Sequence, residues 1–175
     1  MNNDIDTDTK NAIRYYLNKK ALDGEKKSLS KRSKIIVSYI DNCCNIIIND
    51  YKQQLYNIYD DLKINNLDSN DIKNNLRNVL NNDNRPSFKL TIISLSSIIV
   101  KQMGYNKEII KANNLSNCIS SYISDESEKI VDYLEKFNNK KYVYISNIKY
   151  LLAISLLSIS TYYIINFFFK KKDIN

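Results

Sequence analysis

Apolar residues recur along most of this chain at spacings of three and four, the pattern of helices that bury one face. The longest run is Ile36, Ile40, Cys43, Ile47, Tyr51, Leu55, Ile58 and Leu62, which predicts a single continuous helical stripe. Before it, residues 11–22 place Ile13, Tyr16 and Leu17 on one face and predict a short first helix. Residues 23–33, with Gly24 and several charges, read as a loop. After the long stripe, residues 63–69 break the pattern. Ser69 and Asn70 then offer N-caps for a helix over 71–81 that carries Ile72, Leu76, Val79 and Leu80.

The stretch 81–86 reads as a turn, with Pro86 placed to open a new helix. Residues 87–103 behave differently from the rest. Phe88, Leu90, Ile92, Ile93, Leu95, Ile98, Ile99, Val100 and Met103 go right round a helical wheel, which predicts a helix buried on all sides. Gly104 is expected to end it as a C-cap. Residues 107–124 give a further amphipathic helix with Ile110, Leu115, Ile119, Tyr122 and Ile123 on its inner face. A last helix fits 126–137, opened by an Asp125/Glu128 capping box and carrying Ile130, Val131, Leu134 and Phe137 inward. The pattern predicts an all-α bundle of amphipathic helices around one apolar helix.

The final hydrophobic run is of another kind. Residues 150–169 contain no formal charge, and 15 of those 20 are apolar. As a helix they span roughly 30 Å, the hydrocarbon thickness of a bilayer. Lys140, Lys141 and Lys149 precede the run and Lys170, Lys171 and Lys172 follow it. The expectation is a C-terminal transmembrane tail anchor. The division is then a flexible N-terminus over 1–10, a helical domain over 11–141, a basic linker over 142–149, the anchor over 150–169 and a basic tail over 170–175. With no apolar leader at the start, the helical domain is expected to face the cytosol. Moderate hydrophobicity flanked by lysines favours the mitochondrial outer membrane.

Composition mostly excludes. The 175 residues carry a net charge of +7 and no histidine, which removes histidine-based triads and histidine zinc sites together. Two glycines far apart allow neither a phosphate loop nor a dinucleotide loop. Cys43, Cys44 and Cys118 make neither a four-cysteine zinc site nor a disulfide framework, and Cys43 and Cys44 read as small core residues. Asn, Ile and Lys supply 75 of the 175 residues, an AT-rich codon bias, so much of the basic charge reflects composition. The acidic pairs Asp60–Asp61 and Asp125–Glu126 read as solvated helix ends. No enzyme, no cofactor, no metal and no nucleic-acid partner is expected. A SNARE-like coil running to the membrane is excluded by the breaks at 63–70 and 81–86.

The order of these elements resembles the Bcl-2 family, and within it the poxviral Bcl-2-like apoptosis inhibitors. Three runs carry the likeness: AIRYYLNKKAL at 12–22, DYKQQLYNIYD at 50–60 and LNNDNRPSFKLTIISL at 80–95. The resemblance implies a Bcl-2-like fold with a hydrophobic groove, built largely from the second to fifth helices. That groove would take the amphipathic BH3 helix of pro-apoptotic proteins of the Bim, Bax and Bak type. It implies groove-lining roles for Ile47, Tyr51, Leu55 and Ile58, for Ile72, Leu76 and Leu80, and for Leu90 and Ile93 as a floor. Cellular members open the central helix with Asn-Trp-Gly-Arg, whose arginine pairs with the ligand's aspartate. Here the chain reads Arg85-Pro86-Ser87-Phe88-Lys89, so Lys89 is the expected partner and Arg85 the runner-up. The nearest match to a killer segment, residues 55–60, puts bulky Tyr59 where a small residue is needed, which points to a sequestering role. The short 23–33 loop, with known relatives, suggests a homodimer exchanging residues up to about 22. The alternative is a Bcl-2-like inhibitor of innate immune signalling adaptors.

Overall fold

The computed structural model describes residues 2–21, 28–61, 85–124 and 127–139. They form six helices and, among the described residues, no strand: α1 (Asn2–Ala21), α2 (Lys31–Asp50), α3 (Lys52–Asp61), α4 (Pro86–Tyr105), α5 (Ile109–Ile123) and α6 (Ser127–Asn139). The expected helix over 71–81, the Asp125 capping position and the 150–169 segment lie outside the described residues. None of the described helices is long and apolar enough to cross a membrane.

Helix α4 is the axis of the bundle. It packs against α1, α5 and α2, and more lightly against α3 and α6. Every residue from Ser87 to Val100 is buried, as its all-round apolar wheel requires. Its hydroxyls are accommodated by bonding back along the helix. Thr91 Oγ1 donates to the Ser87 carbonyl at 3.0 Å, Ser94 Oγ to that of Leu90 at 2.9 Å, and Ser97 Oγ to that of Ser94 at 2.7 Å. Such bonds let a central helix carry serines without exposing them.

Around this axis the predicted stripes turn inward. Ile13, Tyr16 and Leu17 of α1, Ile36, Ile40, Cys43 and Ile47 of α2, Leu115, Ile119 and Ile123 of α5, and Ile130, Val131 and Leu134 of α6 join one core cluster. Burial pushes the thiols of Cys43 and Cys44 up, the latter to about 11. The Tyr16 phenol is likewise raised by desolvation, with Cys44 beside it.

Several expectations are corrected. The first helix starts at Asn2, so the flexible leader expected over 1–10 is helical. Its acidic residues act as acceptors for the starts of two other helices. Asp8 Oδ1 accepts from Ser30 Oγ at 2.6 Å and from Ser33 Oγ at 2.7 Å. Asp6 accepts a short bond from Ser127 at the start of α6. The long stripe over 36–62 is two helices, joined at Tyr51 with φ −122° and ψ 27°. Ile110, expected on an inner face, is 78% exposed.

Gly104 does not end α4. It lies inside the helix, where a Cβ would sit 2.2 Å from the Ala21 carbonyl oxygen, and so it lets the end of α1 lie directly on α4. The stop comes three residues later. The Lys107 N–H donates to the Gly104 carbonyl at 3.0 Å and the Glu108 N–H to that of Met103 at 2.8 Å. This is a Schellman closure, with Lys107 in the left-handed region at φ 60°.

Candidate functional site

The expected groove is built where α2, α3 and the start of α4 meet. The backbone ladder continues across the Tyr51 bend, with Tyr51 N–H on the Ile47 carbonyl and Leu55 N–H on the Tyr51 carbonyl, both at 3.0 Å. The bend changes the direction of the chain without breaking its apolar row, and α3 turns onto both α2 and α4. On the opposite side, Pro86 occupies the first helical position of α4, where its missing N–H costs nothing. Arg85 precedes it in extended conformation at φ −65° and ψ 135°, and its carbonyl accepts the Lys89 N–H at 3.1 Å.

The structure gathers part of the expected set. Ile47, Leu55, Leu90 and Ile93 belong to the single core cluster, each at most 1% exposed, and Tyr51 packs half-buried against it. Arg85 is half-buried. Lys89 is only 3% exposed. Both cations already interact with other groups of the chain. The Ile58 side chain and residues Ile72, Leu76 and Leu80 lie outside the described residues. An ammonium removed from water is costly unless paired. A ligand carboxylate therefore reaches Lys89 only when the side chain is uncovered, and Arg85 is the more accessible of the two.

A cavity of about 100 Å³ lies elsewhere, between α1 and the residues entering α2, lined by Asp8, Arg14, Tyr15, Asn18 and Ser30 among others. At roughly 30 Å³ per molecule it suits a few waters rather than a helix. Beside it, the serine hydroxyls and the neighbouring Arg32 hold the Asp8 carboxyl below its ordinary range, against a smaller opposing effect of burial. Sequence reading missed this clasp because it placed Ser30 and Ser33 in a loop. The available signal was Ser30 as an N-cap, whose Oγ accepts from the Ser33 N–H at 2.9 Å. Among the described residues no cluster of acidic and thiol side chains could hold a metal ion.

The sequence matches a family model described as "Apoptosis regulator" over residues 10–168. The chain belongs to that family. The matched region begins within α1, takes in every later helix and runs through nearly all of the uncharged stretch. This apoptosis-regulator chain is also 29% identical over 171 residues to "Apoptosis regulator DPV022" of Deerpox virus (strain Mule deer/United States/W-848-83/1983), covering 95% of this chain and 96% of the relative. No solved structure gives a significant match.

Proposed function

We propose that this protein is a viral inhibitor of host apoptosis that sequesters BH3 helices of pro-apoptotic Bcl-2 proteins of the Bim, Bax and Bak type. The site is the junction of α2, α3 and the start of α4, and the protein acts at the mitochondrial outer membrane, blocking cytochrome c release. It binds rather than catalyses. Membership of an apoptosis-regulator family supports the process. The observation that carries the mode is the apolar row Ile47–Leu55–Leu90–Ile93 gathered beside Arg85 and Lys89, because a BH3 helix offers apolar anchors together with an aspartate.

The energetics suit such a ligand. Four anchors at about 1.5–3 kcal/mol each give roughly 6–12 kcal/mol gross. Folding a disordered peptide costs about 2–5 kcal/mol, with a further cost for association. Cationic contacts to the aspartate supply the rest. The burial of Lys89 and of the row itself adds a condition: the ligand must displace whatever covers them, so association is slower than diffusion-limited docking.

Residues 150–169 serve as the tail anchor, and the protein forms a homodimer by exchange of residues up to about 22. Light scattering on the full-length protein in nanodiscs reads that assembly, and a monomeric mass at micromolar concentration overturns it. For the binding role, calorimetric titration of BH3 peptides into the full-length protein is compared with Arg85→Glu and Lys89→Glu. Saturable binding to wild type, weakened in at least one charge reversal, supports the reading. No saturable heat with any BH3 peptide refutes it.

A further inference from the structure

Two large apolar side chains stand out into solvent at one corner of the bundle. Tyr105, the last residue of α4, is 70% exposed, and Ile110, in the first turn of α5, is 78% exposed. Single exposed apolar residues are ordinary on a protein surface. Here the two flank one turn, and lysines surround them. Lys101 Nζ lies 5.8 Å from the centroid of the Tyr105 ring, exposed Lys107 sits on the turn itself, and Lys111 pairs with Glu108 at 2.6 Å. From residue 101 to residue 111 the chain carries three cations and one anion. An aromatic and an aliphatic tip among lysines, whose stems can lie along apolar surface while the ammonium stays at headgroup level, is the composition of an interfacial contact.

The position of this corner in the fold gives it a partner. Gly104 touches Ala21 at the end of α1. The adjacent Lys20 pairs with Asp41 of α2 at 3.1 Å, and the next residue, Asn42, donates to Asn138 near the end of α6 at 2.6 Å. These contacts put the α4–α5 corner and the end of α6 at the same end of the bundle. From Asn139 the chain has eleven steps to Tyr150, at most roughly 35–40 Å when extended. Lys140, Lys141 and Lys149 lie on that path.

The geometry points to a second membrane contact: the Tyr105/Ile110 corner, ringed by Lys101, Lys107 and Lys111, rests on an anionic lipid surface and holds this end of the bundle against the bilayer. This inference rests on the reading of residues 150–169 as a membrane segment. It adds that the helical domain is not a free tether but lies in a fixed orientation, with the α4–α5 corner down.

The test uses the full-length chain carrying Cys118→Ser and Ile110→Cys, labelled at position 110 with an environment-sensitive fluorophore, while Cys43 and Cys44 stay buried. Vesicles are phosphatidylcholine alone or phosphatidylcholine with phosphatidylserine, and flotation is measured alongside. With the anionic vesicles the label shifts to the blue and is quenched by nitroxide-bearing lipid. Both responses fall with added salt and in the Lys101→Glu/Lys107→Glu background. A chain that floats while its label stays water-like in both vesicles overturns the corner contact and leaves the anchor standing. A blue-shifted label that lipid nitroxide does not quench also overturns it, since protein, such as a second copy, then covers the site. A chain that does not float refutes the anchor instead. The label is still read against added anionic vesicles, and no response there overturns the corner as well.

Discussion

Replacing Gly104 by alanine separates packing from helix propensity, because the two predict opposite signs. Gly104 lies inside α4, and in an ordinary helix interior alanine is favoured over glycine by about 1 kcal/mol. Here the new Cβ would meet backbone: the Ala21 carbonyl oxygen at 2.2 Å, its carbon at 3.0 Å and its Cα at 3.1 Å. No side-chain rotation relieves that contact, so the end of α1 must move off α4. Overpacking of this kind costs about 1–3 kcal/mol, and a clash with backbone belongs at the upper end. The net expectation is a loss of about 2 kcal/mol, or roughly 4–8 °C in Tm for a chain of this size. Thermal and urea melts of the full-length protein, followed by far-ultraviolet circular dichroism, read the change. Asn117→Ala is the control, since Asn117 is exposed within α5 and gains only propensity, so its stability should rise slightly. A Gly104→Ala protein as stable as wild type, or more stable, would refute the close approach of α1 to α4.

Other substitutions test other joints. Lys107→Gly should raise stability by about 1 kcal/mol in the same melts, because a non-glycine residue at φ 60° carries a left-handed penalty; an unchanged or lower stability argues against the Schellman closure. Ser30→Ala should cost about 1 kcal/mol through loss of the α2 N-cap. The Asp8 carboxyl is held below its ordinary 3.8, so its contribution is present above that pH and lost as pH falls below it; urea melts across that range should show a steeper acid loss in wild type than in Asp8→Asn. Cys43 and Cys44 should resist thiol reagents at pH 8 until the protein unfolds, given their burial and raised pKa, and rapid labelling of all three cysteines in the native state would contradict the packing of α2.

Hydrophobic periodicity made the helices legible, and all-round apolarity singled out α4 as the axis. What it could not see follows from physics that acts off the stripe. The bend at Tyr51 leaves the three- and four-residue steps intact, so a break in direction left no mark on the pattern. The start of α1 alternates acidic residues, which reads as a solvated leader until Asp6 and Asp8 are seen accepting hydrogen bonds from serines at the starts of α6 and α2. Gly104 near the end of an apolar run has the form of a C-cap, while its actual role is set by Ala21, some eighty residues away in sequence. Ile110 fits an inner face by spacing, yet the preceding turn carries it outward. For the groove, spacing found apolar residues that do come together, but it could not foresee that Lys89 would be almost wholly covered. That burial depends on tertiary neighbours that no local pattern encodes.

The proposed role requires a cleft that accepts one face of a visiting helix, and methyl-resolved magnetic resonance can observe that contact atom by atom. In the full-length protein in nanodiscs, isotope-labelled Ile47, Leu55, Leu90 and Ile93 methyls are followed as an unlabelled BH3 peptide is added. Intermolecular transfer from peptide side chains to these methyls, abolished when the peptide's aspartate and apolar anchors are replaced by alanine, is the expected result. Saturable binding with no transfer to any of the four, or no binding at any soluble concentration, would overturn it.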